Sequence, residues 1–335
     1  MNNQTEIKSE NDTSQNHSDV SFSYDSTYTD NFPGILKGLN ISLAVTSYQS
    51  GSLFFIRSDG HTINTHFKTF PRPMGLYADL NRLTLGTFSQ VLELKRCDNI
   101  LKKIKNGDLD KTTNMSRKIL EKDPKLMKEL IDERKKELEE VKKSDALYLP
   151  RASITTGMIN IHDIAWGEEG LWVLNSTFSC LSTLSPEYSF IARWKPSFIT
   201  PHSPRYHEGN IYLCESGTGT IWRYNPDTRK KDILIKLQGY LRGMTFYGPL
   251  MFVGLSKVRS CHIKNPLPIC MEHEITYSGI WIINLENDTE IGHIRFDGDV
   301  DQIYDIAIIP DAAQPELLNT GSFLIRHIFE FEEYS

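Results

Sequence analysis

The stretch IHDIAWGEEGLWVLNSTFSCLSTL, residues 161–184, sets the pattern for most of this chain. A histidine and an aspartate open a strand-like run, a Glu-Glu-Gly turn follows, and two further alternating segments come next. Forty residues later, residues 201–225 read PHSPRYHEGNIYLCESGTGTIWRYN, with strands and turn in the same order. A third copy, LRGMTFYGPLMFVGLSKVRS, begins forty residues further on, at Leu241. Four short strands at this period are typical of a β-propeller blade.

Two further copies complete the repeat. RPMGLYADLNRLTLGTFSQVLEL begins at Arg72, and its distance from Ile161 returns to about forty residues once a helical segment between them is removed. The copy IYDIAIIP at 303–310 has no strand pair after it, while LAVTSYQSGSLFFI at 43–56 has no first strand before it. Joining these two closes a ring in one composite blade and predicts five blades. A sixth blade would need strands from SFLIRHIFEFEE at 322–333.

Two segments lack this repeated pattern of short strands and turns. Residues 1–32 are mostly polar, and such a composition predicts a disordered tail ahead of a propeller domain at 33–335. Residues 99–144 have no strand-like alternation. There Asp123 precedes Pro124, the arrangement of a helix N-cap followed by proline at the first helical position, and apolar residues then follow helical spacing. The predicted fold is therefore an all-β propeller with a helical insertion and a disordered N-terminal tail.

Composition limits the class of function. The 335 residues carry a net charge of −6, so there is no overall basic surface for nucleic acid. No apolar run is long enough for a membrane span, and the start of the sequence lacks the plan of a secretory signal. The five cysteines are too few and too scattered for a disulfide framework. We therefore expect a cytoplasmic protein with neither nucleic acid nor membrane as partner.

From Ile35 to about Asp311 the sequence resembles a family of uncharacterised, mainly bacterial proteins known only as a domain of unknown function. The resemblance is carried by many segments in one order: ISLAVTSYQSGSLFFI, RPMGL, LYLPRASITTG, IHDIAW, NSTFSCLSTLSPEYSF, RWKPSFI, PHSPR, GYLRGM, FVGLSKVR and QIYDIAIIP. It implies a propeller of about six blades without an established activity. The family usually has a short segment before LYLPR, where this chain has its helical insertion. It also usually has one more repeat, headed by Cys-His-Leu-Asn, between RWKPSFI and PHSPR, and this chain lacks it.

In a propeller the first strand of each blade lines the central channel, so the starts of the five repeats become neighbours. They supply Arg72, His162, Asp163, His202, Ser203, Arg242, Tyr304 and Asp305, with Arg205 three residues after His202. The forty-residue period brings both histidines to one axis. The missing repeat removes a third histidine that would have been in register with them. Thr46 and Tyr48, on an adjacent strand, are expected further out.

Three functions fit these residues. The first is binding of a small anionic molecule or peptide, with a donor-rich set of Arg72, Asp163, Ser203, Arg205, Arg242 and Tyr304. The second is a lyase or hydrolase with catalytic His162, His202 and Asp305, with or without a divalent metal. Asp305 is the better partner for His162, because adjacent residues such as Asp163 point to opposite faces of a strand. The third is a protein-interaction scaffold that uses the rim and the insertion at Asn99–Ser144.

A simpler interpretation competes with all three. Polar residues at the strand starts are expected in a wet channel, and they also bond neighbouring backbone groups and fix the blades against one another. The helical insertion likewise has two interpretations, a partner-binding arm or a segment packed on the side of the propeller. The sequence leaves these alternatives open.

Overall fold

The computed structural model describes residues 23–107, 124–168, 170–175, 177–178, 180–194, 201–258 and 266–327. Their strands form five antiparallel blades of four strands each, arranged in a ring. Blade I consists of Asp305–Pro310, Ile41–Ser47, Ser52–Ser58 and Ile63–Thr69. Blade II consists of Leu76–Ala78, Arg82–Gly86, Gln90–Arg96 and Ala146–Thr155. Blade III consists of Ile161–Gly167, Gly170–Asn175, Cys180–Leu184 and Phe190–Trp194. Blade IV consists of Pro201–His207, Asn210–Glu215, Thr220–Asn225 and Lys230–Lys236. Blade V consists of Tyr240–Tyr247, Leu250–Ser256, Gly279–Asn284 and Thr289–Phe296.

The first strand named for each blade is its head strand, the innermost one. In blade I the head strand Asp305–Pro310 pairs antiparallel with Ile41–Ser47, so that Asp305 lies opposite Thr46. This composite blade closes the ring in the way that the repeat predicts, and the count of five blades is confirmed. Residues Phe323–His327 form a short 3-10 helix rather than a strand of a sixth blade, and residues 328–335 lie outside the described residues.

Two blades gain a fifth strand. Ser26–Tyr28 pairs with the outer strand of blade V, and Pro315–Leu317 pairs in parallel with Ala146–Thr155 of blade II. The described structure therefore begins ten residues before the predicted domain boundary at 33. The segment is mostly polar, but aromatic contacts attach it to the propeller. The Tyr24 ring stacks on Phe67 of blade I with centroids 4.5 Å apart. Residues 1–22 lie outside the described part of the chain.

A short helix, Phe32–Gly38, follows and packs against blades I and V. The helical insertion consists of Asp98–Asn106 and Pro124–Lys143 and joins the two outer strands of blade II. The second helix begins at the proline that the sequence marks as its first position. A further short helix predicted at 114–121 falls outside the described residues.

The insertion packs on the side of the propeller. Ile100, Ile104 and Val141 are buried in one apolar cluster together with Leu147 of blade II and Leu318. The insertion thus buries its apolar face within its own chain, which favours the packed segment over a free arm. No described helix is both long enough and apolar enough to cross a bilayer.

Apolar clusters fill the junctions between most of the blades. Residues that mark them are Phe54 and Phe252 between blades I and V, Leu76 and Ile309 between I and II, Val91 and Leu171 between II and III, and Cys214 and Met244 between IV and V. Among the described residues no such cluster crosses the junction between blades III and IV, which we call the seam. On the blade IV side of the seam Tyr206 and Ile233 remain 71% and 56% exposed.

Candidate functional site

Backbone bulges shape the head strands at one mouth of the channel. In blade III the pairing skips His162, in blade IV it skips Ser203 and Pro204, and in blade V it skips Arg242 and Gly243. A bulge bends its strand and redirects the side chains around it, so the strict alternation assumed from the sequence does not apply here. The three bulges occur at equivalent places in consecutive blades. The bulges therefore determine which side chains of these head strands face the mouth of the channel.

The bulged residues join a chain of contacts around the mouth. The guanidinium carbon Cζ of Arg242 lies 4.5 Å from the ring centroid of Tyr304 and 5.0 Å from that of Tyr240. On one side, Tyr240 contacts the His202 ring at 5.6 Å between centroids. On the other side, Tyr304 meets the His162 ring edge-on at 5.6 Å. The two histidines therefore flank Arg242.

The chain continues across blades I and II. Tyr304 contacts Tyr48 at 5.5 Å between ring centroids. The Cζ atom of Arg72 then lies 5.4 Å from the Tyr48 ring and 4.7 Å from that of Phe88. We call the complete set the belt: His202, Tyr240, Arg242, Tyr304, His162, Tyr48, Arg72 and Phe88. All five blades contribute to it, and Tyr48 belongs to it rather than lying further out.

Arg242 has hydrogen-bonding capacity to spare. Its Nε and Nη1 atoms are inaccessible to solvent and have no hydrogen-bond partner among the described residues. Arg295 provides a comparison, because it also lies over a tyrosine, with Cζ 4.9 Å from the Tyr277 ring, but its Nε donates to Asp297 at 3.0 Å. Burying guanidinium donors without acceptors costs free energy, so these two donors would gain from an acceptor that the described residues do not provide.

The aspartates of the site are engaged by a third arginine. Arg205 donates to both carboxylate oxygens of Asp163, with Nη1 2.7 Å from Oδ2 and Nη2 3.1 Å from Oδ1. Its Nη2 also lies 3.5 Å from Oδ1 of Asp305. The carboxylate of Asp305 additionally accepts the backbone N–H groups of Leu76 and Ile306, each at 3.0 Å. These contacts connect blades I to IV at the mouth.

Burial decides the protonation behaviour of Asp305. Its side chain is 2% exposed, and this burial, together with the nearby charge of Asp163, raises the pKa of Asp305 to about 8 against the opposing effect of Arg205. Burial by itself would lower the pKa of the Arg205 guanidinium, but attraction to Asp163 and Asp305 and the hydrogen bonds to Asp163 together outweigh burial and raise it. The geometry therefore favours a structural role for Asp163, Arg205 and Asp305, which were predicted as ligand-binding or catalytic residues.

Hydroxyl groups connect the heads of blades IV and V. Ser216 Oγ donates to the carbonyl of Leu241 at 2.7 Å and lies 2.8 Å from Nδ1 of His202. Because the hydroxyl proton is used on Leu241, the Nδ1 atom of His202 must carry the proton of that second bond. Ser203 Oγ accepts the backbone N–H of Gly243 at 2.9 Å. Ser203 thus links two blades, and His202 is fixed in one tautomer by its own blade.

The sequence missed Phe88, Tyr240 and Ser216, although it held a signal for two of them. Phe88 follows Tyr48 by forty residues, and Ser256 follows Ser216 by forty. Ser256 is the last residue of the second strand of its blade, and the other three lie one or two residues beyond theirs. A divalent metal was one of the predicted alternatives. In the described ranges no group of three or more His, Cys, Asp or Glu side chains could hold a metal ion.

Comparison with known proteins connects the chain to one family. The model of the family described as Domain of unknown function (DUF4915) matches residues 30–123, 120–201 and 200–318. The boundaries of these segments coincide with the helical insertion and with the seam. No curated protein matches the chain.

Two solved structures resemble it in overall shape. A protein of unknown function from Bacteroides caccae is 8% identical, with a TM-score of 0.42 over 80% of this chain and 98% of that one. A chain of a nidogen–laminin complex is 11% identical, with a TM-score of 0.40 over 81% of this chain and 99% of that one.

Proposed function

The chain belongs to the DUF4915 family, whose function is unknown, and we propose from its own site that it binds a small anionic molecule or peptide at the mouth of its propeller. The observation that carries this proposal is Arg242, whose buried Nε and Nη1 atoms lack acceptors among the described residues. A charged hydrogen bond to an anion would satisfy these donors and offset the cost of burying them.

The belt suits such a ligand in two further respects. The rings of Tyr240 and Tyr304 lie on the guanidinium of Arg242, which fixes its orientation before a ligand arrives. The carboxylates of Asp163 and Asp305 are already engaged by Arg205 and by backbone N–H groups. This engagement supports binding over general-base catalysis, because the carboxylate assigned to orient His162 already has other donors.

The test is a comparison of Arg242→Gln with the native chain. Inorganic phosphate, pyrophosphate and succinate serve as probes, with binding measured by titration calorimetry at low salt. The native protein should bind at least one probe, and Arg242→Gln should weaken that binding by roughly tenfold or more, because each charged hydrogen bond contributes about 1.5–3 kcal/mol. Arg242→Lys, which keeps the charge but loses the planar fork, should fall between them.

Arg295→Gln is the matched control, since it removes an arginine from a tyrosine face outside the belt. It should bind the probes as tightly as the native chain does. Unchanged binding by Arg242→Gln would contradict the proposal, and so would the absence of binding of all three probes to the native protein.

A further inference from the structure

Arg242 is one of two belt arginines that have no carboxylate partner within the part of the chain that the structure describes. The other is Arg72, whose guanidinium lies over the rings of Tyr48 and Phe88. Every other belt residue is an aromatic ring or a histidine. The mouth therefore carries two guanidinium groups that no acidic side chain of the described residues neutralises.

The two guanidiniums lie on one continuous aromatic wall. Arg242 rests on Tyr304, Tyr304 contacts Tyr48 at 5.5 Å between ring centroids, and Tyr48 carries Arg72. Since Arg242 and Arg72 stand on different rings, a single carboxylate or phosphate held at Arg242 leaves the second cation uncompensated. A ligand with an anionic group at each end would satisfy both.

The backbone conformation of Arg72 indicates that the fold holds this residue in a defined position at the mouth. Arg72 adopts a left-handed conformation with φ of 52°, which is unfavourable for a residue with a side chain, and a buried proline follows it. Asn160 and Ser203 adopt the same conformation at the head strands of blades III and IV, with φ of 51° and 50°. The fold therefore holds Arg72 at the mouth at a cost in conformational energy.

We propose that the ligand is a dianion with two separated anionic groups, a dicarboxylate or a bisphosphate, one end bound by Arg242 and the other by Arg72. This inference rests on the proposed function and specifies its ligand class. Arg242, a half-buried residue whose Nε and Nη1 atoms are inaccessible to solvent, provides the primary contact. The exposed Arg72 closes on the distal group and distinguishes dianions from monoanions.

The experiment measures binding of two matched series to the full-length chain at constant ionic strength. One series is the linear dicarboxylates from succinate to sebacate, and the other is the monocarboxylates of the same chain lengths. The best dicarboxylate should bind the native protein about tenfold or more tightly than its monocarboxylate counterpart, the gain expected of one further charged hydrogen bond. Affinity should pass through a maximum with length, because short chains cannot reach both arginines and long ones lose flexibility on binding.

Substitutions assign the two ends. Arg72→Gln should reduce the affinity for the best dicarboxylate to about that for its monocarboxylate counterpart, whereas Arg242→Gln should weaken both series. Arg295→Gln should alter neither. Pyrophosphate against inorganic phosphate, measured on the same variants, distinguishes phosphate groups from carboxylates as the natural chemistry.

The failures of the two proposals are distinguishable. If mono- and dianions bind equally, or if Arg72→Gln keeps the full dianion advantage, the two-ended ligand is wrong while the anion site at Arg242 stands. If Arg242→Gln binds every probe as the native chain does, the anion site itself is wrong, and the two-ended ligand is wrong with it. Melting temperatures of the unliganded variants establish that each has folded before its binding is compared.

Discussion

At the level of single residues, the sequence predicts the location of the two site aspartates but not their partners. The forty-residue period predicts Asp163 and Asp305 at the mouth, and in the structure both lie beside Arg205. It could not assign their partners, because those depend on bulges that change which way each side chain points. Asp305 was therefore paired with His162 on the rule of alternation, whereas its carboxylate accepts from Arg205 and two backbone N–H groups.

The raised pKa of Asp305 leads to a prediction about stability. Between the pKa of an aspartate in the unfolded chain, about 3.9, and the folded value of about 8, the folded protein holds a proton that the unfolded chain releases. The contribution of Asp305 is therefore fully present at low pH and is lost as the pH rises through this window, by up to about 1.4 kcal/mol per pH unit. Asp305→Asn cannot titrate, so the free energy of unfolding of this variant should improve relative to the native chain as the pH rises. Urea denaturation across the window measures this difference.

Asp59→Asn is the control for this experiment. Hydrogen bonds from the backbone of Thr62 and His61 lower the pKa of Asp59 to about 2, so its contribution is lost only below the window in which Asp305 titrates. The difference between Asp59→Asn and the native chain should stay constant across the window. A constant difference for Asp305→Asn as well would mean that Asp305 is ionised in the folded protein throughout.

At the level of strands, the sequence predicted the elements well and their irregularities not at all. Alternating runs such as LTLGT and LWVLN became the second strands of blades II and III, and the helix at Pro124 began where its cap residues placed it. The bulges carry no comparable signal in one sequence, because a single extra residue leaves the alternation on both sides intact. Packing against the neighbouring blade decides where the extra residue falls. Gly254 illustrates this, since a side-chain carbon there would clash with the carbonyl oxygen of the bulged Arg242 and would crowd Ile303 and Ile306 at the start of blade I.

Hydroxyl groups that join one blade to the next provide a second prediction. Ser256 Oγ, fully buried, donates to the carbonyl of Ile303 at 2.9 Å and accepts its backbone N–H at 3.0 Å. Ser256→Ala would leave both backbone groups buried without a partner and should lower the free energy of unfolding by about 1–3 kcal/mol. Ser42 is equally buried, but its hydroxyl has no partner among the described residues, so Ser42→Ala should be neutral or slightly stabilising. Equal losses in the two variants, measured by urea denaturation, would contradict this account.

At the level of the whole molecule, the number of blades was the most predictable property. Each blade is built from short hairpins between neighbouring segments, so its length in sequence fixes a period that can be read directly. The closure of the ring followed from two incomplete repeats. The openness of the seam was not predictable from the period, since it depends on how well the faces of blades III and IV fit.

Because Arg205 crosses the seam, it should contribute more to stability than arginines that cross other blade junctions. Its bidentate contact with Asp163 joins blades III and IV where no apolar cluster of the described residues does so. Arg223 forms a similar bidentate contact from blade IV to Asp288 of blade V, with both distances 3.0 Å, but that junction also holds an apolar cluster. Arg205→Met should therefore cost roughly 3 kcal/mol, because it leaves the largely buried carboxylate of Asp163 without its cation. Arg223→Met should cost no more than about 1 kcal/mol, since the side chains of its partners Asp232 and Asp288 are 51% and 35% exposed.

Hydrogen exchange distinguishes local opening of the ring from general loss of stability. In Arg205→Met the amides of the head strands Ile161–Gly167 and Pro201–His207 should exchange faster, while those of Tyr240–Tyr247 and Asp305–Pro310 keep their protection. This pattern is expected because the other four junctions retain their apolar clusters when the contact across the seam is lost. Faster exchange spread evenly over all five blades would show that Arg205 stabilises the propeller as one unit. Arg223→Met, with its junction still packed, should leave all these strands protected.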